Sequence, residues 1–125
     1  MGLVEELSSP NTSERWQAVL ALGDTRDPAA SEYLLPSLAD EDIFIRMVTA
    51  RVLGDLGSPR GIPALIDALD DGEAAVREAA YVALCSLTKR DFPFDPSTDD
   101  PSERARRVKV WREWWEKEKA RYLEG

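Results

Sequence analysis

A pattern of residues recurs every 31 positions along most of this chain. The clearest triplets in the pattern are Arg15, Arg46, Arg77 and Leu22, Leu53, Leu84. The same shift places the segment LLPSLADED, which starts at Leu34, on LIDALDDGE, which starts at Leu65. A single unit of this length cannot bury its own apolar side, so copies must stack on one another. Function is then expected on a surface shared by the units rather than in an enclosed catalytic pocket.

Each unit is predicted to form two helices, because apolar residues recur at steps of three and four. The stripes of the second helices are Ile45, Thr49, Val52, Leu53, Leu56 in the middle unit and Val76, Ala80, Ala83, Leu84, Leu87 in the last. The first helix of each pair is shorter, and Gly57 and Pro59 break the chain between units. We therefore expect three helical hairpins.

The C-terminal part of the chain leaves the repeat and is predicted to close the stack. Phe92 and Phe94 are expected to anchor a proline-rich loop. Asp100 as N-cap and Pro101 at the first helical position then signal the start of a long helix. The apolar stripe of that helix consists of Val108, Trp111, Trp115 and Tyr122. Such a helix would cover the open face of the last hairpin.

These patterns predict an all-α fold, an alpha-alpha superhelix of three helical hairpins plus a C-terminal capping helix. A length of 125 residues with 43% hydrophobic content suits a single domain, 1–125. The predicted boundaries are units of about 1–26, 27–57 and 58–90, a loop at 91–100 and a capping helix at 101–123.

Composition removes several kinds of chemistry. The chain has no histidine, which excludes His-dependent triads and His-ligated zinc. Cys85 is the only cysteine, so no intramolecular disulfide forms, and a small buried thiol is expected there. The acids at 40–42 and 70–71 suit helix starts and lack calcium-loop spacing. No catalytic, cofactor or metal site is predicted. The absence of a long apolar run predicts a cytoplasmic protein with no membrane partner.

The segment DEDIFIRMVTARVLGDLGSPRGIPALIDALDDGEAAVREAAYVAL, residues 40–84, resembles the short HEAT-like repeat of the phycobilisome-lyase type. The resemblance spans roughly residues 3–90 and implies a solenoid whose second helices line a concave side. It also implies a polar ladder along the stack that contains Asp40 with Arg46, and Asp71 with Arg77. Ser9 replaces the acid before Arg15, so a weaker or different ladder contact is expected for Arg15.

Charge is divided unevenly along the chain, which bears on nucleic-acid binding. Residues 1–100 carry 8 basic and 19 acidic side chains, net −11, whereas 101–125 carry 8 and 5, net +3. A phosphate-binding surface needs a larger basic excess, and the acidic body would repel a duplex. A nucleic-acid partner is therefore disfavoured. The arginines of the last helix are expected to meet acids on the adjoining hairpin, or simply to keep the outer face of the helix in water.

The candidate binding residues are those on the second helices that the buried stripe does not use. They are Trp16, Leu20, Met47, Arg51, Glu78 and Tyr81, with Ala50 and Val82 beside them. Aromatic, Met and Arg side chains are enriched where proteins bind each other. Partial burial of Trp16 against the neighbouring helix is the alternative interpretation.

The leading functional hypothesis is a non-enzymatic protein-protein interaction module or scaffold whose acidic body favours a partner with a basic surface. The family resemblance implies an alternative, a phycobilin-lyase-like or chaperone-like protein that handles a chromophore. A nucleic-acid-binding HEAT-like protein is the third. Self-association through the N-terminal edge is a further prediction, because Leu3, Val4 and Leu7 have no polar cap before them.

Overall fold

The computed structural model describes residues 2–123 and is all-α, as predicted. Met1, Glu124 and Gly125, which belong to the predicted domain 1–125, lie outside the described residues. Within residues 2–123 the α-helices are α1 Leu3–Glu6, α2 Thr12–Asp24, α3 Ser31–Leu34, α4 Ile43–Leu56, α5 Ile62–Ala68, α6 Ala74–Thr88 and α7 Pro101–Leu123. Short 3₁₀ turns occupy Pro28–Ala30, Leu35–Ala39 and Pro59–Gly61.

The long second helices lie side by side and form the body of the stack. Helix α2 packs on α4, and α4 packs on α6, while α1, α3 and α5 precede them in the three units. The predicted stripes of α4 and α6 are buried, except that Leu87 is only partly covered. The predicted superhelix of helical hairpins is therefore confirmed.

Proline divides the first helix of the middle unit. Helix α3 ends at Leu34, and a 3₁₀ turn continues over Leu35–Ala39 with Pro36 near its start. Proline has no amide hydrogen and its ring collides with the carbonyl four residues earlier, so an α-helix cannot continue through it. The last unit has Asp67 at the equivalent position, and α5 remains helical from Ile62 to Ala68.

Arg15 and Arg46 each join two neighbouring units. Arg15 Nε lies 2.9 Å from an Asp40 carboxylate oxygen, and Arg46 Nε lies 3.0 Å from Asp71. Each guanidinium also donates from Nη1 to a carbonyl six residues earlier, Ser9 for Arg15 and Asp40 for Arg46, both at 2.8 Å. The acids therefore pair with the arginine of the preceding unit rather than with their own.

The expectation of a weaker or different contact at Arg15 is wrong, because Arg15 makes the same two contacts as Arg46. Arg15 is buried, and its bond to Ser9 uses the backbone carbonyl, which any residue supplies. The hydrogen bond that Arg15 donates to the Asp40 carboxylate raises the pKa of Arg15 further above its usual value. The contact that differs is at Arg77, which donates to the carbonyls of Pro96, at 2.9 Å, and Thr98, at 3.5 Å.

The C-terminal helix closes the last hairpin as predicted. Helix α7 lies along α5, with Val108, Trp111 and Trp115 buried. Asp100 accepts hydrogen bonds from the amides at the start of α7, which confirms it as the N-cap. The loop before α7 supplies Phe92, which packs edge-to-face on Trp111. Within residues 2–123, one side of α2, α4 and α6 stays uncovered, and Trp16, Phe44 and Val82 are exposed on it.

Candidate functional site

A groove runs between α4 and α6 on the uncovered side of the second helices, and we call it the α4–α6 groove. Its volume is about 440 Å³. The two helices line it in register, since facing wall residues lie 31 positions apart, as do Phe44 and Ala75, and Arg51 and Val82. The repeat thus builds the groove from equivalent positions of two units.

Large apolar side chains are exposed around this groove. Phe44 and Val82 are each 61% exposed, and Trp16, which reaches the groove from α2, is 37% exposed. Most of the Trp16 side chain is therefore covered, as the alternative of partial burial expects, and the exposed remainder lines the groove. Exposed apolar side chains that lie close together make this groove a candidate interaction surface.

Four of the six predicted site residues line the α4–α6 groove: Trp16, Met47, Arg51 and Glu78. Leu20 lies instead in a smaller depression between α2 and α4, about 300 Å³ in volume, which shares Arg51 and Asp55 with the groove. Tyr81 lies outside both. Its ring packs on Phe94 and Trp111, and its hydroxyl donates to the carbonyl of Phe92 at 2.9 Å. Tyr81 therefore belongs to the contact of α6 with α7 and the loop before it.

Sequence reasoning missed Phe44 and misplaced Ala50. Phe44 stands at the start of α4, where the buried stripe begins at Ile45, and it was not assigned to either side. Its helical steps to Met47 and Arg51 were the available signal, because residues three and seven apart share a face. Ala50, expected at the exposed face, is fully buried.

Small residues make the groove deep on the α6 side. Ala75, Ala79 and Ala83 follow one another at four-residue steps along this wall. At Gly54 the helices come so close that an added Cβ would lie 2.9 Å from the Cβ of Ala83. The close approach of α4 and α6 at Gly54 and Ala83 thus forms the floor of the groove.

The charged groups of the groove are Arg51, Asp55 and Glu78, all exposed. None of the three forms an ion pair within residues 2–123. Their charges are therefore available to a second molecule.

The cysteine lies apart from the groove, in the last turns of α6. Burial raises the pKa of the Cys85 thiol above its ordinary value, and burial likewise raises the pKa of the Tyr81 hydroxyl beside it. The thiol therefore stays protonated at neutral pH, which disfavours a nucleophilic role. Across residues 2–123, no three His, Cys, Asp or Glu side chains converge as metal ligands would.

The basic residues of α7 are largely occupied within the chain. Arg104 pairs with Asp70 at 2.8 Å and Arg112 pairs with Asp67 at 2.7 Å, both acids at the end of α5 or just after it. Arg106 and Arg107 both contact Glu103. The prediction that these arginines meet acids on the adjoining hairpin is confirmed for Arg104 and Arg112.

In the described part of the chain, no helix is long and apolar enough to cross a bilayer.

Comparison with known proteins agrees with this architecture. The family model of HEAT repeats matches residues 1–85 of the 125. The match is to HEAT repeats in general and does not extend to the phycobilisome-lyase type, which stays a prediction. No curated protein matches the chain.

Proposed function

Since the chain belongs to the HEAT-repeat family, we propose that it is a non-enzymatic interaction module that binds another protein through the α4–α6 groove. HEAT repeats are generally protein-interaction scaffolds. The observation that carries the proposal is the cluster of exposed Trp16, Phe44 and Val82 around one groove. Tryptophan in particular is enriched among the few residues that contribute most of the binding energy in protein interfaces.

Charge supports a protein partner with a basic surface. The chain carries a net charge of −8, and its basic side chains on α7 are largely paired with its own acids. Opposite charges speed the encounter of two proteins, and like charges suppress association with other acidic proteins. The same charge disfavours long nucleic acids.

The experiment is affinity capture from lysate of cells that produce the protein. The bait is the whole chain, compared with a Trp16→Ala, Met47→Ala double variant that shortens two groove side chains. A Val110→Ala variant is the matched control, because Val110 is an apolar residue of α7 that is 42% exposed and lines neither the groove nor the N-terminal edge. Circular dichroism first establishes that all three are folded.

Loss of a captured protein with the double variant, and its retention with Val110→Ala, is the expected result. Equal capture by all three baits would remove the α4–α6 groove as the binding site. Capture that weakens equally with both variants would indicate general apolar adhesion and would also contradict the proposal.

Self-association through the N-terminal edge is a second proposal, supported by its own observation. Val4, Leu7, Tyr33 and Pro36 line a depression of about 320 Å³ at this edge. Leu3 and Val4 are exposed there, which leaves apolar surface that a second copy of the chain would cover.

A further inference from the structure

The shape of the α4–α6 groove suits one straight helix. From Phe44 to Asp55, helix α4 rises roughly 16 Å, about three turns. Its two walls are parallel helices whose facing residues keep one register along this length. A third helix can lay its side-chain ridges in such a furrow, and the alanines of α6 leave room for them.

An extended peptide suits the groove poorly. The backbone amides and carbonyls of α4 and α6 are used inside those helices between their ends. An extended occupant would find no ladder of partners for its own amides and carbonyls against these walls. Burying such groups unpaired is costly, whereas a helix satisfies them internally.

The charges of the groove alternate along its axis. Glu78 lies level with Met47, since the two are 31 residues apart in equivalent helices. Arg51 is four residues further along α4, and Asp55 is four further again. Four residues of helix rise about 6 Å, so the order is acid, base, acid at roughly one-turn intervals.

We propose that the occupant is an amphipathic helix of the partner that carries a basic, an acidic and a basic side chain at positions i, i+4 and i+8 beside an apolar stripe. Residues four apart lie on the same face of a helix, one turn above each other. The apolar stripe would meet Trp16, Phe44 and Val82, and the three charges would face Glu78, Arg51 and Asp55. This proposal rests on the proposed function and adds the partner's chemistry to it.

The test uses synthetic helical peptides of about 15 residues, long enough to form helix when bound. One peptide carries Lys, Glu, Lys at i, i+4 and i+8 beside a leucine stripe. Two control peptides carry the same side chains in the orders Lys, Lys, Glu and Glu, Lys, Lys. All three have the same net charge, so general attraction to the acidic protein is equal. Titration calorimetry at low salt measures binding to the whole chain.

The native chain is expected to bind the Lys, Glu, Lys peptide about tenfold more tightly than either control. A double variant, Arg51→Glu with Asp55→Arg, keeps the protein's net charge and changes the order in the groove to acid, acid, base. This double variant should bind one of the two control peptides more tightly than the Lys, Glu, Lys peptide. Phe44→Ala should weaken all three peptides together.

Two results would overturn the inference. Equal affinity of the native chain for all three peptides would remove the charge register while leaving apolar docking in the groove. Absence of binding up to about 1 mM would remove the helical occupant altogether. In either case the proposed function is judged separately by capture with the Trp16→Ala, Met47→Ala variant, which depends on no peptide.

Discussion

Each ladder arginine bonds a backbone carbonyl of its own unit, and Arg15 and Arg46 also bond a carboxylate. The carbonyl six residues earlier accepts from Arg15, Arg46 and Arg77 alike, at 2.7 to 2.8 Å. The carboxylate comes from the next unit, and for Arg77 the carbonyls of the loop before α7 replace it. The loop thus occupies the place that another unit's acid would take.

Replacing Arg46 should test what the ladder contributes to stability. The change Arg46→Ala leaves the Asp71 carboxylate, whose side chain is 12% exposed, without its cationic partner. Because a poorly solvated acid without a partner is costly, we expect a loss of about 2 kcal/mol in the free energy of unfolding. Urea denaturation followed by circular dichroism measures it.

The matched control is Arg60→Ala. Arg60 pairs with Glu32 at 3.1 Å, but both side chains are more than half exposed. Solvent weakens such a pair, so a change below about 0.5 kcal/mol is expected. Equal losses in the two variants would mean that the ladder adds nothing beyond an ordinary surface pair.

The sequence identified the ladder residues but not their pairing. Asp40 lies six residues before Arg46 and 25 residues after Arg15, and both spacings recur in the next unit. The repeat alone therefore does not tell which arginine pairs with the acid. Only the stacking of the units decides between them. The direction of the Tyr81 side chain was likewise not predictable. It depends on contacts with Phe94 and Trp111, which lie outside the repeat, and periodicity does not reveal such contacts.

At the scale of the helices, glycine sets how closely the second helices approach. An added Cβ at Gly23 would lie 3.0 Å from Val52, and one at Gly54 would lie 2.9 Å from Ala83. The equivalent position in the last unit is Cys85, where no further second helix packs in residues 2–123 and a side chain is tolerated. The buried stripes were predictable because they repeat, whereas the depth of the groove depends on this contact.

The variant Gly54→Ala should destabilise the stack although alanine favours helix. The helix gains about 1 kcal/mol from the replacement. The new methyl group meets the Cβ and Cα of Ala83, which cannot rotate away, so α4 and α6 must separate. We expect a net loss of about 1 kcal/mol in the free energy of unfolding, measured by urea denaturation.

Gly72→Ala is the control for that experiment. A Cβ at Gly72 meets nothing within 4 Å, so the substitution should be neutral or slightly stabilising. An unchanged or raised stability in Gly54→Ala would show that the helices shift at no cost and that close approach does not fix the groove.

At the scale of the whole molecule, charge opposes the contact that the apolar edge favours. Two copies meeting at the N-terminal edge would cover Leu3, Val4 and Tyr33, which are all exposed in one chain. Each copy, however, carries a net charge of −8. Salt screens repulsion between such copies over distances beyond about 10 Å at 0.1 M, while burial of apolar surface persists.

We therefore expect the protein to be largely monomeric at low salt and to form dimers as the salt and protein concentrations rise. Sedimentation velocity at low and high sodium chloride measures the change. Val4→Glu should hold the chain monomeric, because it places a charge in the apolar edge. Val82→Glu makes the same change of net charge in the groove and should leave dimerisation intact. Dimerisation lost only in Val82→Glu would instead assign self-association to the groove, and its loss in both would assign it to net charge alone.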